Sequence, residues 1–242
     1  FIKAAEMRLN RGVVSLENVV VCPTPPDTLD KSQILDPMML GQTIRQLLLT
    51  NKITTRKVVL SLRGQSSVVV RPIDLPRMTR KELAETMKFE VERHVPFAAN
   101  EVVMDYEPLV DPDEVPETEE TMKVLLAVAQ EELVNAYLKV LKAAKLTPVV
   151  FDVEILSAIR SLVDIHQYDG AHDETIAMVN IGASATDISI VHQGNLVFNR
   201  SVPIAGDALT TALAEQLGRT FDEAEELKIE HGRVFLDPAV GE

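Results

Sequence analysis

Two runs of small residues are the places where this sequence could hold a charged ligand. Asn180-Ile181-Gly182-Ala183-Ser184 follows an apolar run, and Ile204-Ala205-Gly206-Asp207 precedes a helical pattern. Backbone amides in such turns can approach an anion closely, because no side chain stands in the way. The same runs also serve as ordinary tight turns, and the residue types leave both readings open. Between them, Thr186–His192 and Leu196–Val202 alternate around Gln193-Gly194-Asn195, which predicts a hairpin. With Ile176–Val179, read as a buried strand, this makes a three-stranded meander leading into a helix.

The other reactive side chains form no recognisable constellation. His94, His166, His172, His192 and His231 show no metal-ligand spacing. Cys22 lies among valines, where an inert buried thiol fits better than a nucleophile. As the single cysteine it allows no intrachain disulfide, which favours a reducing, cytoplasmic setting. No serine occupies a G-x-S-x-G elbow, and there is no Walker-type phosphate loop. The acidic run at 223–226 reads as a solvated helix face.

The elements that must position the turns are legible from periodicity. The chain has 242 residues, 46% of them hydrophobic, enough for one large domain or two ordinary ones. A net charge of −13 argues against a nonspecific nucleic-acid binder and disfavours direct adsorption to anionic lipid. No apolar run reaches the roughly 20 residues that span a bilayer, and no signal peptide is visible. Phe1–Leu9 and Val13–Cys22 read as strands around Gly12; Asp36-Pro37 opens a helix with Leu40, Ile44, Leu47 and Leu48 on one face. Lys57–Leu62 and Ser66–Ile73 are further strands.

A different kind of segment follows. Thr79-Arg80-Lys81-Glu82 is a capping box before a helix that buries Leu83, Met87 and Val91. Strands at Val102–Leu109 and Met122–Val128 flank an acidic loop. A helix at Gln130–Lys145 is expected to turn Val134, Tyr137, Leu138 and Leu141 inward. Val149–Val153 is a strand before a helix expected to bury Ile155, Ile159 and Leu162, and Gly170 is a candidate hinge. Helices follow at Gly206–Leu217 and Asp222–Glu230. Residues 1–22 and 185–204 share the order strand, Gly turn, strand, then helix, which we read as an internal repeat. The first copy then lacks its leading strand and small-residue turn, so the sequence is expected to be a fragment.

These residues suggest a family. Asn180-Ile181-Gly182-Ala183-Ser184-Ala185-Thr186 before an alternating strand resembles the second phosphate loop of the actin-like ATPase superfamily. Ile204-Ala205-Gly206-Asp207 and Ala224-Glu225-Glu226-Leu227-Lys228 look like its FtsA branch. Closer still is the PilM family of type IV pilus assembly. It is matched by Leu75-Pro76-Arg77-Met78, by Phe89-Glu90-Val91-Glu92-Arg93-His94-Val95-Pro96-Phe97 and by Glu101-Val102-Val103-Met104-Asp105-Tyr106.

The resemblance implies an α/β, actin-like fold. Residues 1–65 would be the first part of subdomain 1A, without its leading strand and first phosphate loop. Residues 66–146 would be an inserted 1C-like α/β subdomain, 147–170 the second part of 1A with the hinge, and 171–242 an incomplete domain 2. It also implies a cytoplasmic scaffold, peripheral at the inner membrane through its partners. The partner is the N-terminal cytoplasmic peptide of PilN, with other pilus platform and motor proteins beside it. The peptide site is expected at Val69, Arg71, Phe89, Arg93, Pro96 and Phe97.

The cofactor implied is ATP with Mg in a full-length protein, bound weakly or not at all by this stretch. Its residues would be Lys3, Asn180, Gly182, Ala183, Ser184, Thr186, Gly206, Glu225 and Lys228. Asn180 stands where active members carry Asp, and an amide lacks the charge that holds the Mg hydration shell. Weak or absent hydrolysis is therefore expected. The alternatives are an FtsA-like membrane tether for division filaments and an actin-superfamily ATPase or kinase.

Overall fold

The computed structural model describes residues 1–30, 33–63, 67–112, 115, 118–163 and 174–233. The readings at Gly64–Ser66, His166, Gly170, His172 and 234–242 lie outside these. The chain divides into two units, Phe1–Ile176 with Ile190–Asn199, and Ala177–Ser189 with Arg200–Glu242.

The first unit opens with the antiparallel pair β1 (Ile2–Asn10) and β2 (Val13–Cys22). Their turn is Arg11-Gly12 with φ of 51° and 83°. Two successive left-handed residues give the turn whose twist matches that of the strands it joins. After the short pair β3 (Leu29–Asp30) and β4 (Gln33–Ile34) comes α1 (Pro37–Thr50). Asp36 caps it, its carboxylate accepting the Met38 and Met39 N–H groups at 3.0 and 2.9 Å. Val20 of β2, Leu48 of α1 and Ile53 make a small core, with Ala4, Ile44, Leu47 and Leu146 packed around it.

Then follow β5 (Lys57–Leu62), β6 (Val68–Pro76), α2 (Arg80–His94), β7 (Val102–Pro108) and β8 (Thr121–Gln130). β8 lies between β6 and β7, antiparallel to both. The capping box at Thr79 forms as its sequence predicts. The Thr79 hydroxyl accepts the Glu82 N–H, and the Glu82 carboxylate accepts the Thr79 N–H at 2.8 Å. That fixes the start of α2 and lays Leu83, Met87 and Val91 on Ile73, Leu75, Met122, Val124, Leu126 and Val128. Each such side chain stabilises by about 1.5–3 kcal/mol when taken out of water.

Next come α3 (Glu131–Ala144), β9 (Thr147–Val153), parallel to β5, and α4 (Glu154–Leu162). Here two expectations are corrected. α3 buries Leu133, Val140, Leu141 and Ala144, while Leu138 is exposed and Val134 and Tyr137 are half-buried. The reason is its partner, α1. A Cβ on Gly41 would lie 2.5 Å from Ala143 Cβ and from the Val140 carbonyl oxygen, so the helices meet backbone to backbone there. On α4, Ile155 and Ile159 are buried but Leu162, in the last turn, is 74% exposed.

β10 (Thr175–Ile181), β11 (Thr186–His192) and β12 (Asn195–Val202) form a meander in that order. The Gln193-Gly194 turn, with φ of 50° and 76°, repeats the Arg11-Gly12 geometry. β10 is not the buried strand its apolar run suggested. It alternates, with Met178 buried and Val179 and Ile181 exposed. α5 (Gly206–Leu217) ends on left-handed Gly218, and α6 (Phe221–His231) begins with a second capping box, Thr220 and Glu223. Among the described residues no helix is long and apolar enough to cross a membrane.

Candidate functional site

The second unit brings the two small-residue turns together. Gly206 N–H donates to the Gly182 carbonyl at 3.1 Å, and Asp207 N–H to the Ala183 carbonyl at 2.7 Å. The first turn of α5 is thus seated on the carbonyl side of the Gly182–Ala183 turn. Gly182 N–H is committed to the Ala185 carbonyl at 2.9 Å, and the Thr186 hydroxyl to the Ile204 carbonyl at 2.7 Å. Ala183 and Ser184 are the exposed members of the loop.

Glu225 and Lys228, one turn apart on α6, reach this same place. Lys228 Nζ donates to Thr210 Oγ1 at 2.7 Å and to the Gly206 carbonyl at 3.2 Å, and pairs with Glu225 at 2.5 Å. Thr210, fully buried on α5, points its hydroxyl at the Glu225 carboxylate, 2.5 Å away. The hydrogen bonds from Lys228 and then Thr210 hold the Glu225 carboxyl below its ordinary value. Thr210 escaped the sequence reading, since a threonine inside a helix carries no local signal of a partner on another helix. Lys3, exposed on β1, belongs to the first unit.

The six residues expected to hold a peptide all lie at β6 or around the end of α2. Val69 and Phe97 pack, half-buried, against the core under α2. Arg71 donates to the His94 carbonyl at 3.0 Å, tying β6 to the last turn of α2. Arg93 pairs with Glu90 at 2.9 Å, and Pro96 is exposed. Phe89 is 77% exposed, on the helix face turned away from Met87 and Val91. So Val69, Arg71 and Phe97 share one surface, while Phe89 and Arg93 stand on the outer side of the helix.

A third cluster was missed. β5 and β9 are parallel, and the ends of such strands are where α/β folds place ligands. There Arg63 pairs with Glu154 at 3.2 Å, and Ser61 meets Ser157 at 3.1 Å. Burial pushes the Asp152 carboxyl up, but hydrogen bonds from Ser157, Arg160 and the Val153 N–H outweigh it and leave the carboxyl below its ordinary value. The Tyr137 hydroxyl, buried near Glu154, is pushed up, by burial first and then by that negative charge. The spacing of Asp152, Ser157 and Arg160 was the available sequence signal.

A parallel strand pair, an inserted sheet-and-helix module and a meander running into two helices define an actin-like α/β protein. Residues 1–233 match the family model described as type IV pilus assembly protein PilM, and the chain belongs to that family. The solved structure titled "PilM-PilN type IV pilus biogenesis complex" superposes with a TM-score of 0.84 at 32% identity, covering 96% of this chain and 67% of that one. The cell division protein FtsA of Staphylococcus epidermidis is 34% identical over 62 residues, 26% of this chain. FtsA of Bacillus subtilis is 30% identical over 64 residues. The match covers 13% of the Staphylococcus relative and 14% of the Bacillus one.

Proposed function

We propose that the protein is a scaffold of type IV pilus assembly that captures the N-terminal cytoplasmic peptide of PilN on the surface formed by β6 and the end of α2. One observation carries this reading: the likeness to the structure titled as a PilM-PilN complex, which covers 96% of this chain. In this reading the protein works at the cytoplasmic side of the inner membrane, brought there by its partner, with other platform and motor proteins assembled on it. Its net charge of −13 favours basic partner segments over anionic lipid. Titration of the chain with a synthetic N-terminal PilN peptide, beside a division-filament tail peptide, tests it. Binding of the first alone supports the scaffold; binding of the second alone supports an FtsA-like tether and overturns it.

In the same proposal the Gly182–Thr186 turn, Gly206, Glu225 and Lys228 face a nucleotide, ATP with Mg, and Asn180 leaves it unhydrolysed. Asn180 has no charge with which to hold the Mg hydration shell. Calorimetry with ATP and Mg, followed by a phosphate-release assay, checks both halves. Turnover that Asn180→Ala abolishes would overturn the second.

A further inference from the structure

The opening hairpin β1–β2 has two faces of opposite character. Residues paired across an antiparallel ladder set their side chains on the same face. Ala4 and Val20 are such a pair and lie on the α1 side, in the small core. The opposite face takes Ala5 with Val19 and Lys3 with Val21; farther out Met7 pairs with Leu16 and Leu9 with Val14. In a regular strand Val14 and Leu16 would point away from the face that carries Val19 and Val21, because side chains alternate with a period of two. A bulge prevents this. The register steps between Glu6 and Met7, Glu17 is the extra residue, and the four apolar side chains of β2 come to one face.

The result is one apolar stripe along the length of the hairpin. Met7, Leu9, Val14, Leu16, Val19 and Val21 are each between 54 and 72% exposed. Lys3, at the inner end, is the one charged side chain that the two strands place on this face. In the outer half of the hairpin the polar contacts are made by other residues: Arg8 pairs with Glu17 at 3.4 Å, and the Ser15 hydroxyl donates to Glu17 at 3.2 Å. An antiparallel sheet with one wetted face puts its polar residues on that face. Here the bare face is the apolar one, and a bulge is spent on keeping it so.

We infer that this face docks a second copy of the chain, hairpin face on hairpin face about a two-fold axis, with the two sheets about 10 Å apart. The inference is independent of the proposed partner peptide and nucleotide. The size of the stripe fits it. At about 100 Å² each, the six side chains present roughly 600 Å², the upper end of what a monomer leaves bare. A stable interface takes about 800 Å² from each partner, part of it from a polar rim. Charge fits it too. Closing the stripe on itself strands no charge, since the Lys3 stem can carry its ammonium out to water at the end. The hairpin carries Lys3, Arg8 and Arg11 against Glu6 and Glu17, so the acidic surplus behind the net −13 lies elsewhere and does not oppose the encounter. A neutral apolar face matches its own copy better than it matches a charged segment.

Sedimentation over a concentration series tests it. The chain should pass from monomer to dimer, and Leu16→Lys should raise the dissociation constant by roughly thirtyfold or more, the effect of losing a central apolar contact. Ser15→Ala, which leaves the stripe intact, should change it little. Because Leu16 is already exposed in the single chain, a melting curve on monomeric Leu16→Lys should match that of the parent. A second measurement leaves the sequence untouched. In methyl NMR with a soluble nitroxide, the Met7 methyl should become shielded as concentration rises, while that of Met38, exposed on α1, stays open. A dimer that Leu16→Lys leaves intact and in which Met7 stays open overturns the proposal, as does a chain that remains monomeric throughout. In that monomer, an open Met7 would leave the face to a different partner, and a shielded Met7 would mean that other parts of the chain cover it.

Discussion

The inserted module and the α5–α6 pair are held together by opposite means. Under α2 the core is apolar: Met87, Val124 and Leu126 are fully buried, and among the described residues no charged side chain is buried. Between α5 and α6 the fully buried groups are Ala224 and the hydroxyl-bearing Thr210, and the contact is organised by Thr210, Glu225, Lys228 and the Gly206 carbonyl. Apolar packing is non-directional and insensitive to pH. A hydrogen-bonded ion pair is directional and titrates. The difference teaches where each job fits. The module suits a fixed surface for a partner, and the polar junction suits a place whose geometry answers to a bound charge.

The largest effect should come from Met87→Ala. Removing a fully buried side chain from this core should destabilise by about 2–5 kcal/mol, read by urea unfolding. A loss below about 1 kcal/mol would mean that the module is not held by the packing described. Thr210→Val comes next. It keeps the volume but strips the hydroxyl that receives Lys228 and faces Glu225, and about 1–2 kcal/mol of local stability should go with it. Amide exchange over α5 and α6 is the readout, since global unfolding need not report on this unit. The junction should also respond to acid where the module core does not. The Glu225 carboxyl is held below the ordinary value near 4.5. Its stabilisation is therefore complete above that value and is lost as pH falls through the lower, folded one. Exchange over α5 and α6 that stays flat while pH falls from 6 to 3, with the module still folded, would contradict the polar account.

The two regions share one local device, which offers a control. Thr79 and Thr220 both cap their helices at φ −70° and ψ 162°, each with a glutamate at the third helical position closing the box. Thr79→Ala and Thr220→Ala should each destabilise by about 1 kcal/mol in its own region, because a cap is a local interaction. A ratio far from one between the two, by amide exchange over α2 and α6, would show that the surrounding packing overrides the cap.

What was legible in the sequence follows the same division. The Thr79 capping box, the Leu83–Met87–Val91 stripe and both Gly turns were readable because their causes lie within a few residues. The buried face of α3 was not. Val134, Tyr137 and Leu138 form as good an apolar stripe as Leu133, Val140 and Ala144, and the choice is made by Gly41 on a helix about ninety residues away. The role of Thr210 was hidden for the same reason. The small-residue runs were found but their polarity was not. Residue types do not tell which way a turn points its carbonyls, and here those of Gly182 and Ala183 face α5.

Gly206 separates the structural from the ligand role of that turn, and its substitution should have the smallest structural effect. A Cβ there would lie 3.4 Å from the Gly182 carbonyl oxygen and 3.6 Å from Lys228 Nζ, which is ordinary contact. Alanine is also the better helix former at the start of α5. Gly206→Ala should thus leave stability within about 0.5 kcal/mol of the parent. If the turn serves only as the seat of α5, nothing else changes. If a nucleotide phosphate approaches the turn, the added methyl stands in its path, and ATP–Mg affinity should fall about tenfold with no change in melting temperature. Calorimetry and a melting curve on the same two samples decide it. Unchanged stability with unchanged affinity would leave the turn as scaffolding and remove Gly206 from the nucleotide site.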